Sequence, residues 1–216
     1  VTVWNRTVEK ARRDVGDLTE DIRPFSLEAL AEALKPGDIA VSMLPADRHV
    51  PIAKLCLEKE AHFVSSSYIA PEMEALDQAF REAGLVSINE VGLDPGIDHL
   101  MAHDLVAHYR ASRAYDPENV LSFTSYCGGI PKVPNAFRYK FSWAPRGVLV
   151  ASRNGAQYLN NGRKVTVEPL RLFRDMHILQ VPGFGDFEAY PNRDSISYQS
   201  VYGLEGIATL FRGTLR

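Results

Sequence analysis

The segment NEVGLDPGIDHLMAHDL, residues 89–105, contains the strongest information about the fold of this chain. It predicts a strand that ends in a loop bearing Asp94 and then opens onto a helix, with Pro95 at the first helical position. Asp94 is expected at the N-cap, and Gly96 would let another group approach the backbone closely. A carboxylate beside a glycine at the carboxyl end of a strand is typical of ligand sites in open α/β sheets. The alternative is that Asp94 only caps the helix.

Strands and helices alternate throughout the first half of the chain. Strands are predicted at 1–5, 38–44, 62–66 and 85–91, and helices at 8–15, 27–34, 47–59 (with Asp47 as the cap), 71–83 and 95–112. The run DIAVSML at 38–44 is nearly all apolar, as is typical of a parallel strand that is covered on both faces. Alternation of this kind predicts right-handed crossovers and a parallel sheet. The predicted fold class is therefore α/β, with a Rossmann-like doubly wound parallel sheet over residues 1–114.

The composition changes after the turn signal Tyr115-Asp116-Pro117. Strand-like runs at 120–127, 139–143, 164–168, 176–181 and 209–211 are separated by clusters of glycine, proline and asparagine. Short strands with turn signals and few helical patterns predict a second, α+β domain over residues 115–216.

The overall composition narrows the class of protein. The 216 residues are 45% hydrophobic and 24% charged, with a net charge of −3, which is ordinary for a globular protein. A near-neutral chain without a basic run gives no footprint for nucleic acid or a membrane surface, and no apolar run is long enough to span a bilayer. The two distant cysteines, Cys56 and Cys127, favour a reducing compartment, and the cytoplasm is the expected location.

No metal site is predicted. His99 and His103 have the spacing of a chelating pair on one helix, but the glutamate of an HExxH motif and a third ligand are missing.

The chain opens without methionine in a predicted strand and stops in mid-element, so we expect it to be an internal piece of a longer protein.

A dinucleotide fold carries a glycine-rich loop after its first strand and a ribose-binding residue after its second. The sequence contains no GxGxxG motif. If residues 1–5 form the second strand, that loop would precede Val1, and Asn5, Arg6 and Thr7 would meet the ribose. An arginine there favours a 2′-phosphate, and hence NADP over NAD, although it is also common for an arginine after a strand to be only a surface residue.

Two further strand ends carry polar or turn-forming residues at the same predicted edge. Residues 42–45 end in Leu44-Pro45, a shape that lets backbone groups line a cofactor, and residues 65–68 offer three serine hydroxyls and a phenol. Serine runs are also common in loops and caps, and tyrosine in packing. Because three consecutive strand ends bear such groups, a ligand site is the better interpretation.

Longer motifs are more specific. The chain resembles the saccharopine dehydrogenase family (saccharopine reductase, NADP, L-glutamate-forming) in SSYIAPEM, NEVGLDPGIDHL, SYCGGIP, YKFSWAPRGVL, YPNRDS and RGTLR, in this order. The resemblance runs nearly end to end. It implies a Rossmann cofactor domain, a second α+β domain that binds substrate and forms a homodimer, and NADP (or NAD) chemistry on the small amino-acid substrate saccharopine. Without the first strand and the glycine loop, the chain is expected to bind cofactor poorly or not at all.

The resemblance also assigns roles to individual residues. It implies that Asp94, Cys127 and Tyr68 are catalytic, with the acid–base role left open between the first two and Tyr68 orienting. An aspartate in that role would need its pKa raised by desolvation, or it would instead hold the substrate amine. The further residues implied for substrate are Ser67, Asp98, Lys140 and Arg146. The predicted cofactor residues come from the strand ends described above, and they are Asn5, Arg6, Thr7, Leu44, Pro45 and Ser66.

Two other interpretations are left open. One is a related NADP-dependent reductive condensing enzyme on the same fold, such as carboxynorspermidine synthase, although a diamine substrate would need acidic residues rather than cationic ones. The other is a non-catalytic Rossmann-type scaffold, because fold alone does not determine activity.

Overall fold

The computed structural model describes residues 1–133, 135, 136, 139–141, 145–151 and 153–216, without the side chains of 145–147. The chain divides into two compact units, Val1–Pro95 and Gly96–Arg216. None of the helices in the described part is long and apolar enough to cross a membrane.

The first unit alternates strands and helices. Its elements are β1 (Val3–Asn5), α1 (Val8–Val15), β2 (Ile22–Pro24), α2 (Leu27–Ala33), β3 (Ile39–Ser42), α3 (His49–Glu58), β4 (His62–Ser65), α4 (Pro71–Glu74), α5 (Asp77–Glu82) and β5 (Ser87–Ile88). All pairings are parallel, β1 with β2 in one sheet and β3, β4 and β5 in order in another. The prediction of a parallel α/β fold is confirmed.

One hydrophobic core serves both sheets of the first unit. Phe63 of β4 and Cys56 of α3 are fully buried, and Phe80 of α5 packs in the same cluster. Trp4 from β1 and Phe25, which follows β2, pack against it from the other sheet. The apolar face of α3 thus covers β4.

Several details of the first unit differ from the predictions, among them strand β2, which was not predicted, and β5, which is shorter than the predicted strand at 85–91. In β3, Ile39 and Val41 are each 63% exposed, so the expectation that this strand is covered on both faces was wrong. Side chains alternate along a strand, and only the face with Ala40 packs against the core. Asp47 does not cap α3, because it lies within a 3₁₀ turn, Ala46–Arg48, that precedes the helix. The predicted helix at 71–83 is two short helices, α4 and α5.

The second unit is α+β. Its elements are α6 (Ile97–Ala111), β6 (Ser122–Cys127), α7 (Pro145–Ala151), β7 (Ala156–Asn160), β8 (Arg163–Val167), β9 (His177–Val181), β10 (Gly185–Pro191), α8 (Tyr198–Val201) and β11 (Thr209–Leu215). The sheet has the order β8-β7-β11-β10-β9 with antiparallel pairings, and β6 pairs in parallel with β11.

The boundary between the compact units lies earlier than the predicted boundary after residue 114. Helix α6 belongs to the second unit because Ala102 and Val106 on its buried face pack with Phe123 of β6 and Leu210 of β11. A strand was also predicted at 139–143. The structure has no strand over 139–141, and residues 142 and 143 lie outside the described residues.

Candidate active site

The loop that carries Asp94 differs from its prediction. Helix α6 begins at Ile97 with Gly96 at the N-cap, where φ is 147° and ψ is −87°, a conformation open to glycine. The N–H of Gly92 donates to the Pro95 carbonyl at 2.8 Å, which closes a turn over Asp94. The N-cap position of Asp94 and the helical position of Pro95 were therefore wrong, because this turn and the glycine that follows it hold both residues outside the helix.

Asp94 instead meets Tyr68. The phenol of Tyr68 donates a hydrogen bond to Asp94 Oδ1 at 2.5 Å, and both residues are half-buried. Sequence reasoning placed these residues at one sheet edge, and the structure brings their side chains into contact. A carboxylate that accepts a bond from a phenol has a fixed orientation, as a group that handles protons requires.

Backbone pairing between two loops explains this contact. After β4, the chain runs beside the segment that follows β5, with Glu90 N–H donating to the Ser67 carbonyl at 3.1 Å and Val91 N–H to the Ser65 carbonyl at 3.2 Å. A β-carbon at Gly92 would lie 3.0 Å from the carbonyl oxygen of Pro95 and 3.2 Å from that of Ser66, which is tighter than an ordinary contact, so a glycine suits this close approach. The predicted site residues 66, 67 and 68 are thereby held next to the loop of Asp94.

A histidine that was not predicted lies beside them. His49 is only 4% exposed, and its Nδ1 forms a 2.9 Å hydrogen bond with Ser42 Oγ. Its Nε2 forms a 2.7 Å hydrogen bond with Ser67 Oγ. Burial lowers the pKa of the His49 imidazole below its usual value, and the charge of Asp47 opposes this only in part. The sequence did carry a signal, because the first residue of a helix that follows a parallel strand lies near the carboxyl edge of the sheet.

The predicted cofactor residues follow the ends of three parallel strands. Asn5 ends β1, and its Oδ1 accepts the N–H of Thr7 at 2.9 Å, which shapes the turn. Arg6 and Thr7 are exposed. A guanidinium, a hydroxyl and backbone donors at the carboxyl end of a parallel strand fit the phosphorylated ribose of NADP in their donor chemistry.

The remaining predicted cofactor residues follow the next two strands. Leu44 is half-buried against the core and Pro45 is exposed, both after β3. Ser66 is half-buried after β4. These three residues and Asn5, Arg6 and Thr7 all belong to the first unit, but contact with a cofactor stays a prediction for each of them.

Cys127 lies in the second unit, at the end of β6. It is half-buried, and its Cα is paired with that of Thr214 in the parallel register of β6 and β11. The next residue, Gly128, has no room for a side chain, because a β-carbon there would overlap the carbonyl of Leu215. Cys127 is thereby fixed where the strand ends, and its predicted meeting with Asp94 stays a prediction.

Asp98 makes structural contacts. Its Oδ1 accepts the N–H of Gly96 and its Oδ2 binds the Arg212 guanidinium, both at 2.7 Å. Arg212 is 4% exposed, lies 3.9 Å from the ring centre of Tyr198, and donates its backbone N–H to Ser195 Oγ at 2.9 Å. These contacts hold α6 to β11, so Asp98 stabilises the second unit. Its predicted contact with substrate is not tested by them.

The other predicted substrate residues of this unit are less informative. Lys140 is exposed, and the side chain of Arg146 lies outside the described residues.

Across the described ranges, no group of three or more histidine, cysteine, aspartate or glutamate residues is arranged to hold a metal ion. His99, half of the candidate metal pair, forms a 2.7 Å hydrogen bond through Nδ1 with the Tyr202 hydroxyl.

Comparison with known families agrees with the motifs. Residues 1–88 match the model of the saccharopine dehydrogenase NADP binding domain, and residues 92–216 match that of the saccharopine dehydrogenase C-terminal domain. The chain belongs to the saccharopine dehydrogenase family. The resemblance predicted from sequence is confirmed, as is the Rossmann-like α/β class of the first half.

Individual relatives of the saccharopine dehydrogenase family match over the whole chain. The saccharopine dehydrogenase (NADP(+), L-glutamate-forming) of Pyricularia oryzae is 37% identical over 225 residues, covering 100% of this chain and 49% of the relative. The alpha-aminoadipic semialdehyde synthase of Arabidopsis thaliana is 40% identical over 217 residues, covering 97% of this chain and 19% of the relative. The chain thus spans about half or less of the length of these relatives.

A solved structure matches as well. The apo saccharopine dehydrogenase (L-Glu forming) of Saccharomyces cerevisiae has a TM-score of 0.86 and 34% identity, with 100% of this chain and 49% of that chain covered.

Proposed function

We propose that the protein is an NADP-dependent oxidoreductase that acts on the secondary amine of saccharopine and interconverts saccharopine with L-glutamate and 2-aminoadipate 6-semialdehyde. The observation that carries this proposal is the 2.5 Å hydrogen bond from Tyr68 to Asp94, which joins two family motifs at the carboxyl edge of a parallel sheet. The family match and the relatives named NADP(+), L-glutamate-forming support the substrate and the cofactor.

The products determine which carbon of saccharopine is oxidised. L-Glutamate keeps the amine nitrogen, whereas the semialdehyde keeps the carbon that becomes the aldehyde. The C–H bond that breaks therefore lies on the lysine-derived carbon next to the nitrogen, and bound NADP⁺ would supply the acceptor for the hydride of that carbon. One water molecule then adds to the C=N bond, and cleavage of the C–N bond gives the aldehyde and the amine. In the reverse direction the same steps form saccharopine from the two products.

Residues of this chain would move the protons. The secondary ammonium must lose a proton before hydride departs, and the nitrogen must gain one as the C–N bond breaks. Asp94, oriented by Tyr68, is the proposed group for these transfers, and Cys127 is the alternative. The choice between Asp94 and Cys127 for each transfer is left open.

Saccharopine carries three carboxylates, so cationic and hydroxyl side chains suit its recognition. The proposed substrate residues are Ser67, Asp98, Lys140 and Arg146. For the cofactor, Arg6 with Asn5 and Thr7 would bind the ribose 2′-phosphate, and Leu44, Pro45 and Ser66 would line the bound dinucleotide. NAD is the alternative cofactor if Arg6 is only a surface residue.

The assembly and the location are proposals of the same kind. Family resemblance supports a homodimer formed through the second unit. Cysteine usage supports a reducing compartment, and the cytoplasm is proposed. Neither nucleic acid nor a membrane is proposed as a partner, since the chain has a net charge of −3 and no basic run.

The test is made on the full-length protein. Saccharopine is added with NADP⁺ and separately with NAD⁺, and reduced nicotinamide is followed by its absorbance. Faster reduction with NADP⁺ is expected, and Arg6→Ala should raise KM for NADP⁺ while leaving KM for NAD⁺ unchanged. Absence of reduction with either cofactor in a folded protein would overturn the proposal.

A further inference from the structure

His49 joins two strand ends that are separate in sequence. Its ring lies between Ser42, the last residue of β3, and Ser67, two residues beyond β4, and it bonds to both hydroxyls at 2.9 and 2.7 Å. Ser67 is followed directly by Tyr68, whose phenol holds Asp94. A continuous chain of contacts therefore runs from the first residue of α3 to the proposed acid–base group.

The chemistry of the ring suits a rigid bridge. A neutral imidazole donates through one nitrogen and accepts through the other, and a serine hydroxyl can do either, so both hydrogen bonds form in either tautomer. A protonated ring would require both serines to accept. Burial disfavours that form, as the lowered pKa of His49 indicates, and the charge that acts on the ring is that of Asp47 in the preceding turn. From β4, Phe63 packs against the ring in an edge-to-face arrangement, with 6.4 Å between the centroids.

We propose that His49 is a positioning residue of the saccharopine site, which holds Ser67, and through it Tyr68, in the place where the phenol meets Asp94. The expected effect on kcat rests on the proposed function, whereas the expected effect on the position of Tyr68 does not. His49 touches no reacting atom in this account; it acts through Ser67.

The two ring nitrogens can be tested separately. A glutamine side chain extends far enough to place a polar atom near the position of Nε2, whereas asparagine reaches only to the position of Nδ1. His49→Gln should therefore keep the contact with Ser67, and His49→Asn should keep only the contact with Ser42. A loss of catalytic geometry of this kind costs on the order of 100-fold in rate. We expect kcat on saccharopine to fall by that order in His49→Asn and to stay near wild type in His49→Gln, with KM for NADP⁺ unchanged in both.

His62 provides a matched control. It is a half-buried histidine at the start of β4, the opposite end of the same strand, and its Nδ1 accepts the N–H of Val86 at 3.0 Å. His62→Gln removes an imidazole from the same sheet without touching Ser67. We expect kcat on saccharopine to be unchanged in this variant.

Structures of the variants separate this inference from the proposed function. In His49→Asn the Tyr68 hydroxyl should move away from Asp94, whereas His49→Gln should retain the contact. This readout stands even if the wild-type protein fails to oxidise saccharopine, a result that would overturn the proposed function alone. The inference is overturned if His49→Asn keeps the wild-type Tyr68–Asp94 distance, whatever its kcat. It is also overturned if His49→Gln loses as much activity as His49→Asn.

Discussion

Tyr68 donates a hydrogen bond to Asp94 across 2.5 Å, although 26 residues separate them in sequence. The contact exists because the loops after β4 and β5 pair through Ser65, Ser67, Glu90 and Val91. Both residues are proposed to be catalytic, and the first prediction therefore concerns Asp94.

Asp94→Asn should abolish most of the activity while retaining the fold. The amide oxygen can still accept the bond from Tyr68, but the side chain can no longer take up a proton. General acid–base groups contribute about 10² to 10⁴-fold, so kcat on saccharopine should fall within that range. The control is Asp77→Asn, which changes an exposed aspartate of α5 paired with Arg81. Equal kcat values for Asp94→Asn and Asp77→Asn would remove Asp94 from the mechanism.

The two cysteines should differ in their reaction with iodoacetamide. Cys56 is fully buried in the core, and burial raises the pKa of its thiol to about 11, so almost no thiolate forms at neutral pH. Cys127 is half-buried at a strand end. We expect native protein to be alkylated at Cys127 well before Cys56, as measured by peptide mapping, and both to react after unfolding. Rapid alkylation of Cys56 in the folded protein would contradict the packing of α3 on β4.

Asp98→Asn should destabilise the protein. The substitution leaves the buried guanidinium of Arg212 without its counter-charge, and breaking a buried pair in this way costs about 3 kcal/mol. Asp104→Asn on the same helix is the control, because Asp104 and His108 form an exposed pair worth at most about 1 kcal/mol. The free energy of unfolding of both variants is measured by urea denaturation. If Asp98→Asn is as stable as Asp104→Asn, the ion pair with Arg212 does not hold α6 to β11.

His49 should make stability depend on pH. Its pKa is lowered in the folded state, so below the usual value of 6.5 the unfolded chain binds a proton that the folded chain does not. The free energy of unfolding should therefore fall as the pH drops from 6.5 towards the folded-state pKa, with no contribution from His49 above 6.5. The measurement is urea denaturation across this range, in wild type and in His49→Gln. An identical slope in the variant would show that His49 is not the group responsible.

Local sequence patterns predicted the helices and strands whose own residues carry a clear apolar periodicity. Helix α6 was expected at 95–112 and spans Ile97–Ala111, because its apolar residues recur at helical spacing. Strand β4, expected at 62–66, spans His62–Ser65, because its more buried residues alternate along the chain as they do in a strand. Strands β7 and β10 were missed although each pairs with its neighbour in sequence, β8 and β9 respectively. Their sequences, AQYLN and GDFEAYP, mix polar and apolar residues and contain no continuous apolar run.

In the candidate site, too, residues within a local motif were predicted and residues that depend on distant contacts were not. The motifs identified Tyr68 and Asp94, whose phenol and carboxylate are groups that commonly take part in proton transfer. His49 was missed, because its proposed role depends on a hydrogen bond to Ser67, which lies 18 residues later in the sequence, just after β4. The start of α6 was misplaced because Asp94-Pro95 has the pattern of a helix cap, while a turn from Gly92 to Pro95 competes for the same residues.

The most direct test of the account is product analysis with the full-length protein. Saccharopine and NADP⁺ are incubated with the enzyme, and NADPH, L-glutamate and 2-aminoadipate 6-semialdehyde are quantified together. The account predicts equal amounts of all three, because each hydride transferred leads to one hydrolysis on the lysine-derived side of the nitrogen. Formation of lysine with a 2-oxo acid, or no turnover by a folded protein, would contradict it.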